Sequence, residues 1–376
     1  MNHFSKKHAL LCKFAVSNIT IYMKNKEEFD HSFSQKLIEW YGAHKRDLPW
    51  RNTKDPYKIW LSEIILQQTR VNQGMEYFIR MVTRFPNVQA LAGADEDEVL
   101  KYWQGLGYYT RARNLHASAK KIVSDLGGKM PTEYETLLKL KGIGEYTAAA
   151  IASFAANKPH PVVDGNVYRF LSRYFMIFDP IDTGKGKKTF TEIAEKLIDK
   201  DQAGLFNQAI MEFGALQCIP GQPDCHSCTF SGSCMAWSER KVTLLPQKQG
   251  KVKIQKRYFH YFHITDGSYT YIYKRSQKDI WHNLYEFPMI ETDMVMDFEQ
   301  LQQTDKFKET FADTDNFHFK LHTSNKKHVL THRIIYATFY EVTIKEKKNL
   351  PDKFIEINEN DINKYAVHRL ISEYIS

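Results

Sequence analysis

Apolar residues recur with helical spacing through more than half of the chain. Between residues 31 and 217, amphipathic stretches are separated by glycine, proline and helix-capping residues rather than by alternating strands. Asp55-Pro56 supplies an N-cap residue and a proline for the first helical position, and it predicts a helix through "YKIWLSEIILQQT". The pattern predicts an all-α first domain, which we place at residues 31–237.

A glycine-containing break separates two further predicted helices. "TEYE" (132–135) is typical of a capping box and predicts a helix to Leu140, after which "KGIG" (141–144) ends it and "EYTAAAIASFAA" begins the next. Glycines on both sides of an apolar residue let the backbone turn tightly and present N–H groups to a phosphate without base specificity. The candidate phosphate contacts are Gly142, Ile143 and Gly144. Taken alone, the pattern also fits a plain tight turn.

The pattern changes after Cys234. Residues 238–257 contain proline, glycine and many lysines, cannot bury much apolar surface, and are predicted to form a basic linker. Beyond them, "YFHYFHI" and "SYTYIYKR" on either side of Asp266-Gly267 predict two strands joined by a hairpin turn. "HVLTHRIIYATFYEVTI" predicts another long strand or hairpin, and a closing helix is expected near residues 363–375. The second domain, residues 258–376, is therefore predicted to be α+β.

Composition and charge narrow the class of protein. A chain of 376 residues with 43% hydrophobic content fits a multi-domain protein, because single cores rarely exceed about 250–300 residues. A net charge of +8 with 14% aromatic residues favours a nucleic-acid partner, although a basic protein without such a partner also fits. No apolar run approaches the roughly 20 residues of a membrane span, so a cytoplasmic protein is expected. Residues 1–30 are interpreted as a poorly ordered N-terminal extension, upstream of an alternative start at Met23.

Four of the five cysteines lie within residues 218–234, with the spacing C-x6-C-x2-C-x5-C. Because no convincing export signal is present, a reducing compartment is expected, which argues against disulfides and for a metal site. Four thiolates suit tetrahedral zinc and a [4Fe–4S] cluster about equally. The spacing resembles the cluster loop of the endonuclease III superfamily of DNA glycosylases. That resemblance implies a [4Fe–4S] cluster bound by Cys218, Cys225, Cys228 and Cys234.

Two carboxylates are candidates for catalysis. Asp164 in "VVDGN" stands before the helical stretch "NVYRFLSRYF", where an ordinary N-cap is the simplest role. Glu63 in "WLSEIILQQT" has apolar neighbours, and burial would favour its protonated form and suit it to be a general acid. A partly exposed glutamate on an amphipathic helix is the alternative for Glu63. Trp60, which shares a helix face with Ile64, is expected in the core.

Four stretches together resemble the adenine DNA glycosylase family, the MutY family: "LPWR" (48–51), "WLSEIILQQT" (60–69), "GLGYYTRARNL" (105–115) and "VVDGNVYR" (162–169). The resemblance covers nearly all of residues 31–376. It implies an all-α helix-hairpin-helix glycosylase domain followed by an α+β Nudix-like domain. It also implies a monomeric, nucleoid-associated base excision repair enzyme of bacterial type that excises adenine mispaired with 8-oxoguanine or guanine in double-stranded DNA. Downstream base excision repair proteins are candidate partners.

The resemblance also implies residue roles. Glu63 would protonate the leaving adenine at N7, and Asp164 would stabilise positive charge at C1′, supported by Tyr146 and Asn166. Residues matching the pocket for the flipped adenine are Arg46, Leu48, Trp50, Arg51, Gln208 and Met211. Residues matching those beside 8-oxoguanine are Gln68, Thr69, Leu106 and Tyr108. Bifunctional relatives carry a nucleophilic lysine at the position of Tyr146, so a monofunctional enzyme that leaves an abasic site is expected.

The C-terminal stretch resembles the family's Nudix-like domain through "WHNLYEFP" (281–288). It lacks the glutamate arrangement REUxEE of a Nudix hydrolase, so lesion recognition without nucleotide hydrolysis is expected. The family's lesion-reading loop commonly ends in Phe-Ser-His, where this chain has Leu330, Thr331 and His332. Two alternatives remain: a glycosylase for thymine or oxidised pyrimidines on the same scaffold, and a non-catalytic DNA-binding protein whose cluster senses redox state.

Overall fold

The computed structural model describes residues 26–250, 254–276, 278–312, 316–344 and 350–376. The predicted extension 1–30 lies outside the described residues, except for residues 26–30, which begin the first helix. The chain divides into two compact units. Of the described residues, those up to Ala92 and Ala117–Gly250 form the first unit, and Gly93–His116 and those from residue 254 onwards form the second.

Helices account for the regular structure of the described chain up to residue 244, as the helical spacing predicted. In chain order they are α1 (Lys26–His44), α2 (Pro56–Leu66), α3 (Val71–Arg84), α4 (Val88–Gly93), α5 (Glu96–Trp103), α6 (Thr110–Asp125), α7 (Tyr134–Leu137), α8 (Glu145–Ala156), α9 (Gly165–Tyr174), α10 (Gly184–Leu197), α11 (Ala203–Leu216) and α12 (Met235–Ser238). Short 3-10 helices occupy Pro49–Arg51 and Val242–Leu244. No helix within the described ranges is long and apolar enough to cross a membrane.

Local capping rules place one predicted helix correctly and misplace another. The Asp55 carboxylate accepts the Tyr57 N–H at 2.9 Å and Pro56 opens α2, as predicted. The predicted capping box at 132–135 is wrong, because α7 starts one residue later, and Glu133 at its N-cap pairs with Lys158 at 3.1 Å instead. This helix also ends at Leu137 rather than Leu140, because i to i+3 hydrogen bonds tighten the following turns.

An aromatic cluster anchors the cysteine-rich loop in the core of the first unit. Phe230, which lies between the third and fourth cysteines, is 2% exposed. Its ring centroid lies 5.0 Å from Phe33 on α1, 5.4 Å from Phe170 on α9 and 5.2 Å from Phe213 on α11. Rings at these distances pack favourably, so the loop is tied to three helices of the first unit.

The second unit is built on a mixed sheet, as the α+β prediction required. Its strands and helices after residue 250 are β1 (Gln255–Thr265), β2 (Tyr269–Lys274), β3 (Tyr285–Glu286), β4 (Met289–Thr292), α13 (Phe298–Gln302), α14 (Asp305–Thr310), β5 (Phe317–Val329), β6 (Arg333–Ile344), β7 (Ile355–Asn358) and α15 (Arg369–Ile375). The strand order is β3-β2-β1-β6-β5, while β4 pairs with β1 and β7 with β2. Only β1 and β6 pair in parallel among the described strands.

The predicted turns of the second unit occur where the sequence indicated. β1 and β2 form the hairpin predicted around Asp266-Gly267, with Thr265 opposite Thr270. β5 and β6 form a second hairpin whose turn covers residues 330–332, which we call the lesion-reading loop. The closing helix is shorter than predicted, because residues 359–364 form a 3-10 helix and α15 begins only at Arg369.

Candidate active site

A cavity of about 190 Å³ in the first unit brings together most of the predicted pocket residues. Its walls come from α2, α8, α9, α11 and the 3-10 helix Pro49–Arg51. The predicted residues that line it are Arg46, Leu48, Trp50, Arg51, Glu63, Thr69, Tyr146, Asp164, Asn166, Gln208 and Met211. Gln68 does not line this cavity and is exposed, with a left-handed backbone at φ 55°.

Glu63 is a buried carboxyl group on a helix that is apolar on most of its surface. Its neighbours on α2 include the buried Leu61, Ile64 and Ile65, and Glu63 itself is only 6% exposed. Burial raises the pKa of Glu63 to about 7, and a hydrogen bond with the Tyr146 hydroxyl partly opposes that rise. A carboxyl group with this pKa carries a proton for a substantial fraction of the time at neutral pH. Trp60, on the same helix, is fully buried as predicted.

Tyr146 stands on the first turn of α8 and faces both carboxylates. Burial, with Glu63 and Asp164 nearby, raises the pKa of Tyr146 well above its usual range. The phenol therefore stays protonated at neutral pH and remains a hydrogen-bond donor. No lysine is among the described residues that line the cavity.

Asp164 is the N-cap residue of α9 and also lines the cavity. Its Oδ1 accepts the N–H groups of Asn166 and Val167, each at 2.8 Å, and its Oδ2 accepts the Asn166 Nδ2 at 2.7 Å. Arg169 donates to the Asn166 side-chain oxygen at 3.0 Å and fixes the orientation of that amide. Burial raises the pKa of Asp164, and the three hydrogen bonds favour its charged form. Capping and a place in the cavity thus coexist in one residue.

Glu212 on α11 is part of the site and was missed by the sequence reasoning. Its side chain is fully buried and binds two arginines: Arg46 Nε at 2.8 Å and Arg51 Nη1 and Nη2 at 2.7 and 2.6 Å. These contacts lower the pKa of Glu212 to about 2 despite its burial. Glu212 therefore stays charged and holds both guanidinium groups at the cavity wall. A signal was present, because Glu212 follows Gln208 by one helical turn in an otherwise apolar stretch.

The predicted phosphate-binding turn lies between α7 and α8. Gly142 has a φ of 82°, a left-handed conformation that favours glycine, and both Gly142 and Gly144 are exposed. Ile143 is buried, and its N–H donates to the Leu140 carbonyl. The isoleucine thus anchors the turn while the two glycines bring backbone to the surface.

The four cysteines of the 218–234 loop line one cavity next to Phe230. The Arg173 guanidinium lies 3.4 Å from the Cys218 sulfur, and the Phe230 N–H lies 3.4 Å from the Cys228 sulfur. Burial raises the pKa of the Cys228 thiol to about 11. Within the described ranges, no three cysteine, histidine, aspartate or glutamate side chains converge closely enough to hold a single metal ion.

Four residues predicted to recognise the lesion lie in the second unit. The Tyr108 hydroxyl hydrogen-bonds the Thr331 hydroxyl, so α6 begins beside the lesion-reading loop. Leu106 is buried, whereas Tyr108 and Thr331 are exposed. His332, also exposed, accepts a backbone hydrogen bond from Gln255 through its carbonyl.

Comparison with known proteins defines the class. Residues 61–200 match the HhH-GPD superfamily of base excision DNA repair proteins, and residues 260–376 match the NUDIX domain. The thermostable thymine-DNA glycosylase, a solved structure, has a TM-score of 0.53 at 27% identity and covers 58% of this chain and 99% of its own. This protein is therefore a DNA glycosylase, which hydrolyses N-glycosyl bonds, and the alternative of a non-catalytic DNA-binding protein is wrong.

Curated relatives identify the family. The adenine DNA glycosylase of Buchnera aphidicola subsp. Schizaphis graminum (strain Sg) is 38% identical over 261 residues, which cover 69% of this chain and 75% of the relative. The adenine DNA glycosylase of Mus musculus is 41% identical over 235 residues, which cover 60% of this chain and 45% of the relative. The chain belongs to the adenine DNA glycosylase family, and the resemblance seen in its motifs is confirmed.

Proposed function

We propose that this enzyme excises adenine paired with 8-oxoguanine or guanine in duplex DNA and leaves an abasic site. The observation that carries the proposal is the arrangement of the two carboxylates. Glu63, with a pKa near 7, and the hydrogen-bonded Asp164 line the same cavity. Tyr146 also lines this cavity and is a neighbour of both carboxyl groups. Two carboxyl groups in such different environments suit an acid and a charge stabiliser.

Glu63 acts as the general acid. Adenine leaves poorly as an anion, so a proton delivered to N7 lowers the barrier to cleavage of the glycosidic bond. Burial keeps Glu63 partly protonated at neutral pH, and the Tyr146 hydroxyl orients its carboxyl group. After proton transfer the Glu63 carboxylate remains beside the Tyr146 donor.

Asp164 stabilises the positive charge that develops at C1′ as adenine leaves. Three hydrogen bonds hold its carboxylate in place before the reaction, so little reorganisation accompanies the change in charge. Water then completes the hydrolysis. Because a tyrosine occupies position 146 and no described residue of the cavity is a lysine, no amine is available there for a Schiff base. These features support a monofunctional enzyme.

The remainder of the cavity suits a flipped purine. Leu48, Trp50 and Met211 supply apolar and aromatic surface, while Arg46 and Arg51 supply fixed donors held by Glu212. A base removed from the stack is bound by this combination of ring contact and hydrogen bonding. Gln208, whose side-chain oxygen accepts the Tyr41 hydroxyl at 2.9 Å, is oriented at the same wall.

We propose that the four cysteines hold a [4Fe–4S] cluster. They line one cavity, and the positive Arg173 lies against Cys218, which suits a group of thiolates. A mononuclear zinc site needs its thiolates about 2.3 Å from one ion, whereas each thiolate of a four-iron cluster binds a different iron atom. The C-x6-C-x2-C-x5-C spacing, which resembles the cluster loop of the endonuclease III superfamily, favours the cluster over zinc. Hydrolysis of a glycosidic bond transfers no electrons, so the reaction itself does not need a redox group. When bound, the cluster would instead have a structural role and cross-link the cysteine loop to the helical core.

Double-stranded DNA is the proposed partner. The exposed Gly142 and Gly144 are suited to a backbone phosphate, and the net charge of +8 favours a polyanion. Tyr108 and Thr331, joined by a hydrogen bond, are proposed to contact 8-oxoguanine together with Leu106 and His332 of the same unit. The role predicted for Gln68 and Thr69 beside the lesion stays a prediction.

Single-turnover assays on a duplex with one 8-oxoguanine:A pair test the proposal, with products analysed before and after hot alkali. Strand breaks only after alkali are expected, because the enzyme leaves an intact abasic strand. A parallel G:T duplex tests the second candidate, thymine excision, which the similarity to thymine-DNA glycosylase favours. Release of thymine without adenine would refute the proposal. Glu63→Gln should lose adenine release, while Glu76→Gln, a substitution of an exposed glutamate on α3, should retain it.

A further inference from the structure

An acidic residue outside the active site bridges two strands of the second unit. Asp97, on the first turn of α5, pairs through Oδ1 with Lys274 at 2.5 Å and accepts the Tyr285 hydroxyl through Oδ2 at 2.9 Å. Lys274 and Tyr285 are opposite each other on β2 and β3, and the lysine lies 5.4 Å from the tyrosine ring. The Asp97 carboxylate therefore contacts both members of this cross-strand pair.

Residues 105–108 form a loop between α5 and α6, which we call the wedge loop. Further contacts tie the segment 96–113, which contains this loop, to the sheet on both sides of the loop. Glu96, which precedes the loop, accepts the Asn283 side-chain amide. Arg113, which follows it, donates to the His282 carbonyl at 2.7 Å. Both partners belong to the turn before β3, so one turn of the sheet holds both ends of the segment.

The wedge loop itself has a fixed shape. Gly105 and Gly107 have φ values of 92° and 78°, and Tyr108 is also left-handed at 49°. The Gly107 carbonyl accepts Trp103 Nε1 and Arg111 Nη2, each at 3.1 Å. Because these bonds lie within the segment, they set the shape of the loop but not its position against the lesion-reading loop.

We propose that Asp97 is a positioning residue that holds the wedge loop in register with the lesion-reading loop. The inference rests on the proposed function, since it assumes that Tyr108 and Thr331 contact 8-oxoguanine. Their mutual hydrogen bond requires α5 and the sheet to keep one relative position, and Asp97 joins those two elements directly. Loss of Asp97 should therefore weaken the preference for 8-oxoguanine over guanine without altering the chemistry.

Burial decides which contact of Asp97 matters more. The side chains of Asp97 and Lys274 are 41% and 37% exposed, and exposed ion pairs contribute little. Tyr285 is only 8% exposed, so a lost hydrogen bond leaves its hydroxyl poorly solvated. Asp97→Ala, which removes both contacts, should have a larger effect than Lys274→Met, which removes only the ion pair.

Equilibrium binding separates positioning from chemistry. The probes are two duplexes, with 8-oxoguanine or guanine opposite a 2′-fluoro-deoxyadenosine that resists cleavage. For Asp97→Ala we expect the ratio of the two dissociation constants to fall about fivefold to tenfold, and for Tyr285→Phe about threefold. Asp95→Ala is the matched control, because it removes the same charge two residues earlier, at the N-cap of α5, where the Asp95 side chain makes no capping hydrogen bond. Its ratio should stay within about twofold of the unaltered enzyme.

Single-turnover adenine release from G:A duplex at saturating enzyme completes the test. Asp97→Ala should retain this rate within about twofold, because Glu63 and Asp164 lie in the first unit. An unchanged ratio of dissociation constants in Asp97→Ala would overturn the inference. A fall in the saturating rate as large as the fall in that ratio would also overturn it. If the unaltered enzyme itself binds both duplexes equally, the lesion preference in the proposed function fails instead.

Discussion

Replacing Glu63 by glutamine tests whether the buried carboxyl group has the protonation behaviour that an acid catalyst needs. Burial raises the pKa of Glu63 from an ordinary 4.5 to about 7 in the folded protein. The folded state therefore binds this proton more tightly than the unfolded state does. The corresponding stability is fully present below about pH 4.5 and is lost as the pH rises through about 7.

The size of the effect follows from the interval between the two pKa values. At about 1.36 kcal/mol per pKa unit, the interval between 4.5 and about 7 corresponds to about 3 kcal/mol of unfolding free energy. About 1 kcal/mol of it is lost by pH 5 and nearly all of it by pH 8. Glutamine keeps the shape of the side chain and carries no charge, so Glu63→Gln does not experience this loss.

Urea unfolding followed by far-ultraviolet circular dichroism at pH 5 and pH 8 measures the difference. The unfolding free energy of Glu63→Gln minus that of the unaltered protein should be about 2 kcal/mol larger at pH 8 than at pH 5. Glu76→Gln, at an exposed position on α3, is the control and should change by less than about 0.5 kcal/mol. Adenine release by Glu63→Gln should be absent at both pH values.

Two results would refute separate parts of this reasoning. A difference in unfolding free energy that stays constant between pH 5 and pH 8 would mean that burial does not raise the pKa of Glu63. If the difference changes as expected but adenine release persists in Glu63→Gln, the carboxyl group is buried and protonated but is not the acid.

Three further predictions concern the same cavity. The single-turnover rate of adenine release should fall about tenfold per pH unit above about pH 7, where Glu63 loses its proton, as a pH–rate profile would show. Asp164→Asn should keep the cap of α9, because asparagine caps as well as aspartate does. Thermal unfolding should therefore show a loss of unfolding free energy below about 1 kcal/mol, while the rate of adenine release falls at least about 100-fold. Glu212→Ala should destabilise the fold by about 3 kcal/mol in urea unfolding near neutral pH, because it leaves two guanidinium groups without their shared carboxylate; an unchanged unfolding free energy would contradict the role given to Glu212.

Local sequence signals predicted the elements that carry the site. The N-cap at Asp55 and the cap at Asp164 act within three residues, so the chain alone was enough to place the starts of α2 and α9. The same rules failed at 132–135, where α7 begins one residue later than the pattern indicated and its N-cap side chain makes no capping hydrogen bond. Helix ends shift by one or two residues, and a four-residue pattern does not fix the exact start.

The cysteine loop shows a different limit of sequence reasoning. Its spacing indicated a metal site, but the spacing said nothing of Phe230, which ties the loop to Phe33, Phe170 and Phe213. These rings come from segments widely separated along the chain. Aromatic residues at helical spacing predict burial, but which of them meet in one cluster depends on the packing of whole helices.

The two buried glutamates of the active site mark the point at which sequence alone stops being informative. Glu63 and Glu212 share one local pattern, a single carboxylate in an apolar helical stretch, and both are buried as that pattern indicates. Yet the pKa of Glu63 is raised to about 7 and that of Glu212 is lowered to about 2. The difference comes from what faces each carboxylate: a tyrosine hydroxyl for Glu63, and for Glu212 two arginines more than 160 residues earlier in the chain. The local pattern can therefore predict that a glutamate is buried, but only its tertiary partners decide whether it serves as an acid or as a fixed anion.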